Sequence, residues 1–168
     1  MDRSGGFKLS KFLKPGTDSG THGTHARQWC NGERGTHDYV LLVSERSLLP
    51  VLTTARDLDD LVPRFMRQLD KMISALGVRQ GLIDRELSQM EPIHFGRTNS
   101  RSVLGTMNDF VQMFKYMLPD GQDLSLLDWS LQLAKAPCGP IDMESPNRLT
   151  QRLLENPHNF EVIDGDCA

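Results

Sequence analysis

Two apolar runs, Tyr39-Val-Leu-Leu-Val-Ser44 and Leu48-Leu-Pro-Val-Leu-Thr-Thr54, constrain this chain more than any other feature. Each has the length and β-branched content of a strand. Only Glu45-Arg-Ser47 lies between them. So short a connection between two strand-like runs reads as an antiparallel hairpin. Pro50 has no N–H to give to a ladder, which assigns its strand to a sheet edge or Pro50 to the strand's start.

Past the hairpin the apolar spacing becomes helical. Leu58, Leu61, Val62, Phe65, Leu69, Met72, Ile73 and Leu76 form one amphipathic face. Asp57 is placed as an N-cap and Gly77 as a stop, while Pro63 marks either the true beginning or a kink. Val78, Leu82, Ile83, Leu87 and Met90 continue the period into a shorter helix. Pro92-Ile-His-Phe95 returns to extended chain. A third amphipathic helix is predicted from about Ser102 to Leu118, with an apolar face of Val103, Leu104, Met107, Phe110, Val111, Phe114, Met117 and Leu118. Ser125-Leu-Leu-Asp128 resembles a capping box that opens a helix through Trp129, Leu131 and Ala134. Pro137-Cys-Gly-Pro140 is a tight turn, and Ser145-Pro146 starts a last helix over 146–155.

Strands come first and helices later, without βαβ alternation. The expected fold is therefore α+β, with a small antiparallel sheet packed against four or five helices. The sheet would hold the hairpin at about 38–54 and a strand at about 91–95. Residues 1–37 read as a flexible N-terminal segment and loop, with a short helix or strand around Phe7 to Leu13. Residues 38–157 form the single domain, and 158–168 an acidic tail.

Composition sets the exclusions. At 168 residues the chain can bury a proper core as one domain. A net charge of −3 and a pI of about 5.9 argue against a broad nucleic-acid surface. No apolar run nears the ~18 residues of a membrane span, and the first residues lack the layout of a secretory signal. A cytoplasmic location is expected. Cys30, Cys138 and Cys167 are scattered and odd in number, so reduced thiols are expected rather than disulfides.

The functional candidates gather where the third amphipathic helix begins. Its first backbone N–H groups lack helical partners, and the helix dipole adds partial positive charge there. Arg97, Asn99, Arg101 and Ser102 surround that end, with Thr98 among them. Such a set suits a phosphate, a carboxylate or another anionic group. At ~100° per residue, Arg101, Asn108, Gln112 and Lys115 fall along one flank, and Asp109 and Tyr116 face away from the core. Gly105 would let another backbone or a ligand come close. The structural alternative is that Asn99 or Ser100 caps the helix and the arginines are solvated. The candidate ligand-binding residues are Arg97, Asn99, Arg101, Ser102, Asn108 and Asp109.

Other clusters are weaker. His22, His25, Cys30 and His37 have zinc-compatible residue types, but lie in a Gly-rich loop without a paired-cysteine knuckle. Cys138 lacks a base placed beside it in sequence and reads as a small buried residue. Asp57, Asp59 and Asp60 read as favourable charge at a helix start. No Gly-rich phosphate loop, Gly-x-Ser-x-Gly elbow or His-Glu-x-x-His helix is present. No catalytic residue, metal or cofactor is assigned.

Three blocks carry a resemblance: Leu42-Val-Ser-Glu-Arg-Ser-Leu-Leu-Pro-Val-Leu52, Asn99-Ser-Arg-Ser-Val-Leu-Gly-Thr-Met-Asn-Asp-Phe110 and Leu133-Ala-Lys-Ala-Pro-Cys-Gly-Pro140. In this order they resemble a family of small uncharacterised bacterial proteins, known as a domain of unknown function. The likeness spans about residues 11–155. It implies a compact α+β domain and no particular activity. It marks Asn99, Arg101, Ser102, Gly105, Asn108 and Asp109 as signature positions.

The leading expectation is a non-enzymatic binding or regulatory module of a bacterium or mobile element. It would recognise an anionic group or a protein partner through the surface around Arg97–Asn108, at a pocket between the hairpin and the third amphipathic helix. One alternative is an enzyme acting on a phosphorylated or nucleotide substrate, with Asp109 as base or metal ligand. Another is a protein–protein inhibitor or antitoxin-like factor. The sequence leaves the oligomeric state open.

Overall fold

The computed structural model describes residues 7–13, 39–54, 58–90, 100–117 and 124–156. Among these residues the sheet has three antiparallel strands in the order β1 (Phe7–Leu13), β2 (Tyr39–Ser44) and β3 (Pro50–Thr54). Five α-helices follow among the described residues: α1 (Leu61–Ala75), α2 (Gln80–Gln89), α3 (Arg101–Met117), α4 (Leu126–Leu133) and α5 (Pro146–Glu155). The chain is thus α+β, with the expected antiparallel sheet and helix number.

The hairpin forms as its two apolar runs imply, pairing Tyr39 with Thr54 and Val43 with Pro50. Pro50 is both the first residue of β3 and part of an edge strand of this sheet, the two places where its missing N–H is harmless. The third strand comes from Phe7–Leu13, which pairs with β2 from Phe7↔Ser44 to Leu13↔Tyr39 through an irregularity between Leu9 and Lys11. Residues assigned by sequence to a segment before the domain therefore belong to its sheet. The expected strand at 91–95 lies outside the described residues.

Alternation along β2 divides the interior in two. Leu41 and Val43 enter one cluster with Leu48, Leu52, Val103, Met107, Phe110, Val111, Phe114, Trp129 and Leu133. Val40 and Leu42 enter the other, with Leu49, Val51, Phe65, Leu69, Met72, Ile73 and Ile83. β2 is therefore apolar throughout because both its faces are covered, by α3 on one side and α1 and α2 on the other, while α4 lies along β3 and contributes to both clusters. Aromatic rings organise the first cluster. Phe114 meets Tyr39 and Trp129 edge-on, each at a centroid distance of 5.8 Å.

Helix ends follow the local chemistry. A short 3-10 turn at Leu58–Asp60 precedes α1, which puts Pro63 in the first turn, where its missing N–H costs nothing. Pro63 thus marks a beginning and not a kink. Asp57, the expected cap, lies outside the described residues. Gly77 follows α1 with φ of +81°, a left-handed conformation that favours glycine. At α4 the capping box is complete: Ser125 Oγ accepts from Asp128 N at 3.2 Å, and Asp128 Oδ2 accepts from Ser125 N at 3.1 Å.

Ser130 makes the bond that ties α4 to the sheet. It is fully buried, accepts the Leu52 N–H at 3.0 Å, and donates to the Leu126 carbonyl at 2.7 Å. A β3 amide not used in pairing with β2 thus finds its acceptor on a helix laid along the strand.

Candidate functional site

Helix α3 has one fully buried and one fully exposed side. Val103, Thr106, Met107, Phe110, Val111 and Phe114 point inward. Arg101, Ser102, Leu104, Gly105, Asn108, Asp109, Gln112, Lys115 and Tyr116 are exposed. The period places those exposed residues on one continuous face. Leu104, assigned by sequence to the apolar side, lies at its margin and is 40% exposed.

Four of the six candidate residues can be placed. Arg101 and Ser102 occupy the first turn of α3; Asn108 and Asp109 lie two turns further along. At 1.5 Å of rise per residue, Arg101 and Asp109 are separated by about 12 Å along the axis. The four share a face but do not converge on one point. Arg97 and Asn99 lie outside the described residues, as do His22, His25, Cys30 and His37.

The entrance of α3 is partly occupied from within. Ser100 Oγ accepts from Val103 N at 3.4 Å and contacts Ser102 Oγ at 3.0 Å, while the Ser100 carbonyl accepts from Leu104 N at 3.1 Å. Ser100 therefore caps the helix, the structural alternative weighed from the sequence. An anion at this end would share it with that serine.

Among the described residues, no pocket of the kind expected separates the hairpin from α3. Leu41, Val43, Leu48 and Leu52 pack directly on Val103, Met107, Phe110 and Phe114, so the interface is solid core. The correction has a simple cause: the apolar face of α3 is wide enough to cover one side of the small sheet. Among the described residues, an open depression of about 320 Å³ lies elsewhere, lined by Lys135, Pro137, Met143, Glu144, Ser145, Asn147 and Arg148. The amides at the adjoining start of α5 are already used. Asn147 N donates to the Ala134 carbonyl at 3.0 Å and Arg148 N to Asn147 Oδ1 at 2.8 Å.

Gly105 lies in the second turn of α3 on the exposed face, and a Cβ built there meets nothing within 4 Å. Among the described residues, no internal packing requires glycine at this position. Gly105→Ala is therefore expected to stabilise the isolated fold by about 0.5–1 kcal/mol, read as a rise in urea midpoint at unchanged slope.

Cys138 is buried in the turn before α5, and its Sγ donates to the Ala136 carbonyl at 3.5 Å. Burial first, and then the Asp109 carboxylate, push its thiol from an ordinary 9.0 up to about 11. A thiol held protonated is a poor nucleophile, which fits the reading of Cys138 as a small buried residue. Folding favours the protonated form, so this contribution to stability is complete below pH 9 and fades as the pH climbs toward 11. The expected loss is about 1–2 kcal/mol over that window, and Cys138→Ala should flatten it in melting curves taken against pH.

Among the described residues no group of three or more His, Cys, Asp or Glu side chains is arranged to hold a metal. No helix there is long and apolar enough to cross a membrane. Two features escaped the sequence reading. Ser130 was legible in principle, as a hydroxyl between Trp129 and Leu131 on a helix with buried faces. The depression lies beside two consecutive left-handed residues, Asp142 at φ +55° and Met143 at φ +59°; aspartate tolerates that conformation, but nothing about a methionine announces it.

Comparison with known families settles the relationship. The family described as Domain of unknown function (DUF6933) matches residues 34–149, more than two-thirds of the chain. The chain belongs to this family. The DUF6933 match starts just before β2 and ends within α5, so it takes in the hairpin and all of α1 to α4. It is narrower than the span of 11–155 suggested by the sequence blocks. Neither the curated proteins nor the solved structures gave a match.

Proposed function

We propose that this DUF6933 chain is a non-enzymatic protein-binding module, and that the exposed face of α3 is its contact surface. The observation that carries the reading is the composition of that face. Arg101, Lys115 and Asp109 alternate with Asn108 and Gln112, and Leu104 and the 78% exposed Tyr116 flank them. Cations, anion, amides and apolar margins together match another protein's surface better than a lone anion, which calls for converging donors of one sign. The Ser100 cap points the same way, since its hydroxyl engages the Val103 amide that an anion would use. Asp109 stands on an outward helix surface, which favours a contact role over that of a base in a cleft. The resemblance to bacterial proteins suggests a bacterium or mobile element as its setting.

The test uses the full chain as bait in extracts of its source organism, with Arg101→Ala as the matched control. The expected result is at least a fivefold loss of captured protein with a melting temperature within about 1 °C of the parent, as for a surface change. Equal capture by both chains, or a large fall in melting temperature with capture intact, overturns the proposal.

A further inference from the structure

We infer that the occupant of the α3 face is a second copy of this chain, docked antiparallel across Gly105. The inference rests on the reading of that face as a contact surface and names its partner. Three exposed residues, Arg101, Gly105 and Asp109, follow one another at steps of four and form a single row on α3. A twofold axis through Gly105 would set Arg101 of one copy opposite Asp109 of the other, and the reverse pair alongside it. The same operation sets Ser102 opposite Asn108. A surface that complements itself under a twofold rotation is what an isologous dimer needs.

Two further observations support the pairing. Neither Arg101 nor Asp109 has an ion-pair partner among the described residues. Gly105 is the one residue in that row without a side chain, and the space above it is open. Rows of this kind pack into one another's grooves when helices cross, and a glycine at the crossing lets the backbones come close. Nothing among the described residues accounts for that glycine; an approaching helix would. The exposed charges fix orientation more than strength, because surface ion pairs are weak. A single 17-residue helix offers less than the roughly 800 Å² per partner of a standard interface, so self-association of micromolar strength is expected.

The experiment is sedimentation velocity on the full chain from roughly 1 µM to 1 mM, the range that brackets weak interfaces. A monomer–dimer equilibrium is expected. Arg101→Asp and Asp109→Arg should each weaken it at least tenfold, because each sets like charges opposite one another twice. The double variant, or a mixture of the two single variants, should recover most of the loss. Gly105→Leu should abolish dimerisation while the monomer keeps its circular dichroism spectrum. A chain monomeric throughout, dimers indifferent to the swaps, or a double variant no better than the singles overturns the inference. The protein-binding reading fails separately: a monomeric chain that still captures a protein in an Arg101-dependent way overturns only the second copy as occupant.

Discussion

Phe110→Ala is expected to lower the unfolding free energy by about 3–5 kcal/mol, the range for removing a large buried ring. Phe110 is 1% exposed and sits mid-helix in α3, where that helix covers the sheet. Leu41, Val43, Met107 and Phe114 belong to the same cluster, so truncation leaves a void among side chains held by two elements. A rigid surround collapses poorly into a void, which puts the cost high within the range. Urea unfolding should show a lower midpoint at nearly constant slope. Gln112→Ala, two positions on and exposed, should leave the midpoint almost unmoved. Similar losses from both changes would contradict the inward and outward assignment of α3.

Ser130→Ala is the second large effect, at about 2–3 kcal/mol. The hydroxyl is wholly buried and takes part in two bonds, one of them to the Leu52 amide of β3. Alanine removes the acceptor but leaves the amide in place, and a buried donor without a partner costs about 1–3 kcal/mol. The magnitude is thus set by what remains behind. Ser130→Thr keeps the oxygen and should recover part of the loss. Hydrogen exchange at Leu52 is the sharper measurement: it should accelerate in the alanine variant more than at Leu41 across the strand pair. Unchanged protection at Leu52 would show that the serine bond is not what holds that amide.

The fold was legible wherever a local rule and a packing rule agreed. The 39–54 hairpin, the α1 stop at Gly77, the Ser125–Asp128 box and the 146–155 helix all emerge from short-range chemistry, and all are present. What sequence could not supply was the partner of each surface. The strand at Phe7–Leu13 is joined to β2 across a gap of 25 residues, and nothing within either segment names the other. Among the described residues the expected pocket between the hairpin and α3 is filled, for a related reason. A wheel projection shows which residues share a face, but not how much of a facing sheet that face will fill. Arg101, Ser102, Asn108 and Asp109 were legible as non-core by the same projection, and they are exposed. Their spread over about 12 Å was implicit in their numbering, since separation along a helix follows from residue count alone.

The position of β2 has a consequence for how this chain fails. Both apolar masses draw on the same six-residue strand, and every second side chain belongs to a different one. Neither half can melt by itself without stripping a wall from its neighbour. Damage on either flank is therefore transmitted through a shared spine, and the protein loses its order in one concerted step instead of layer by layer.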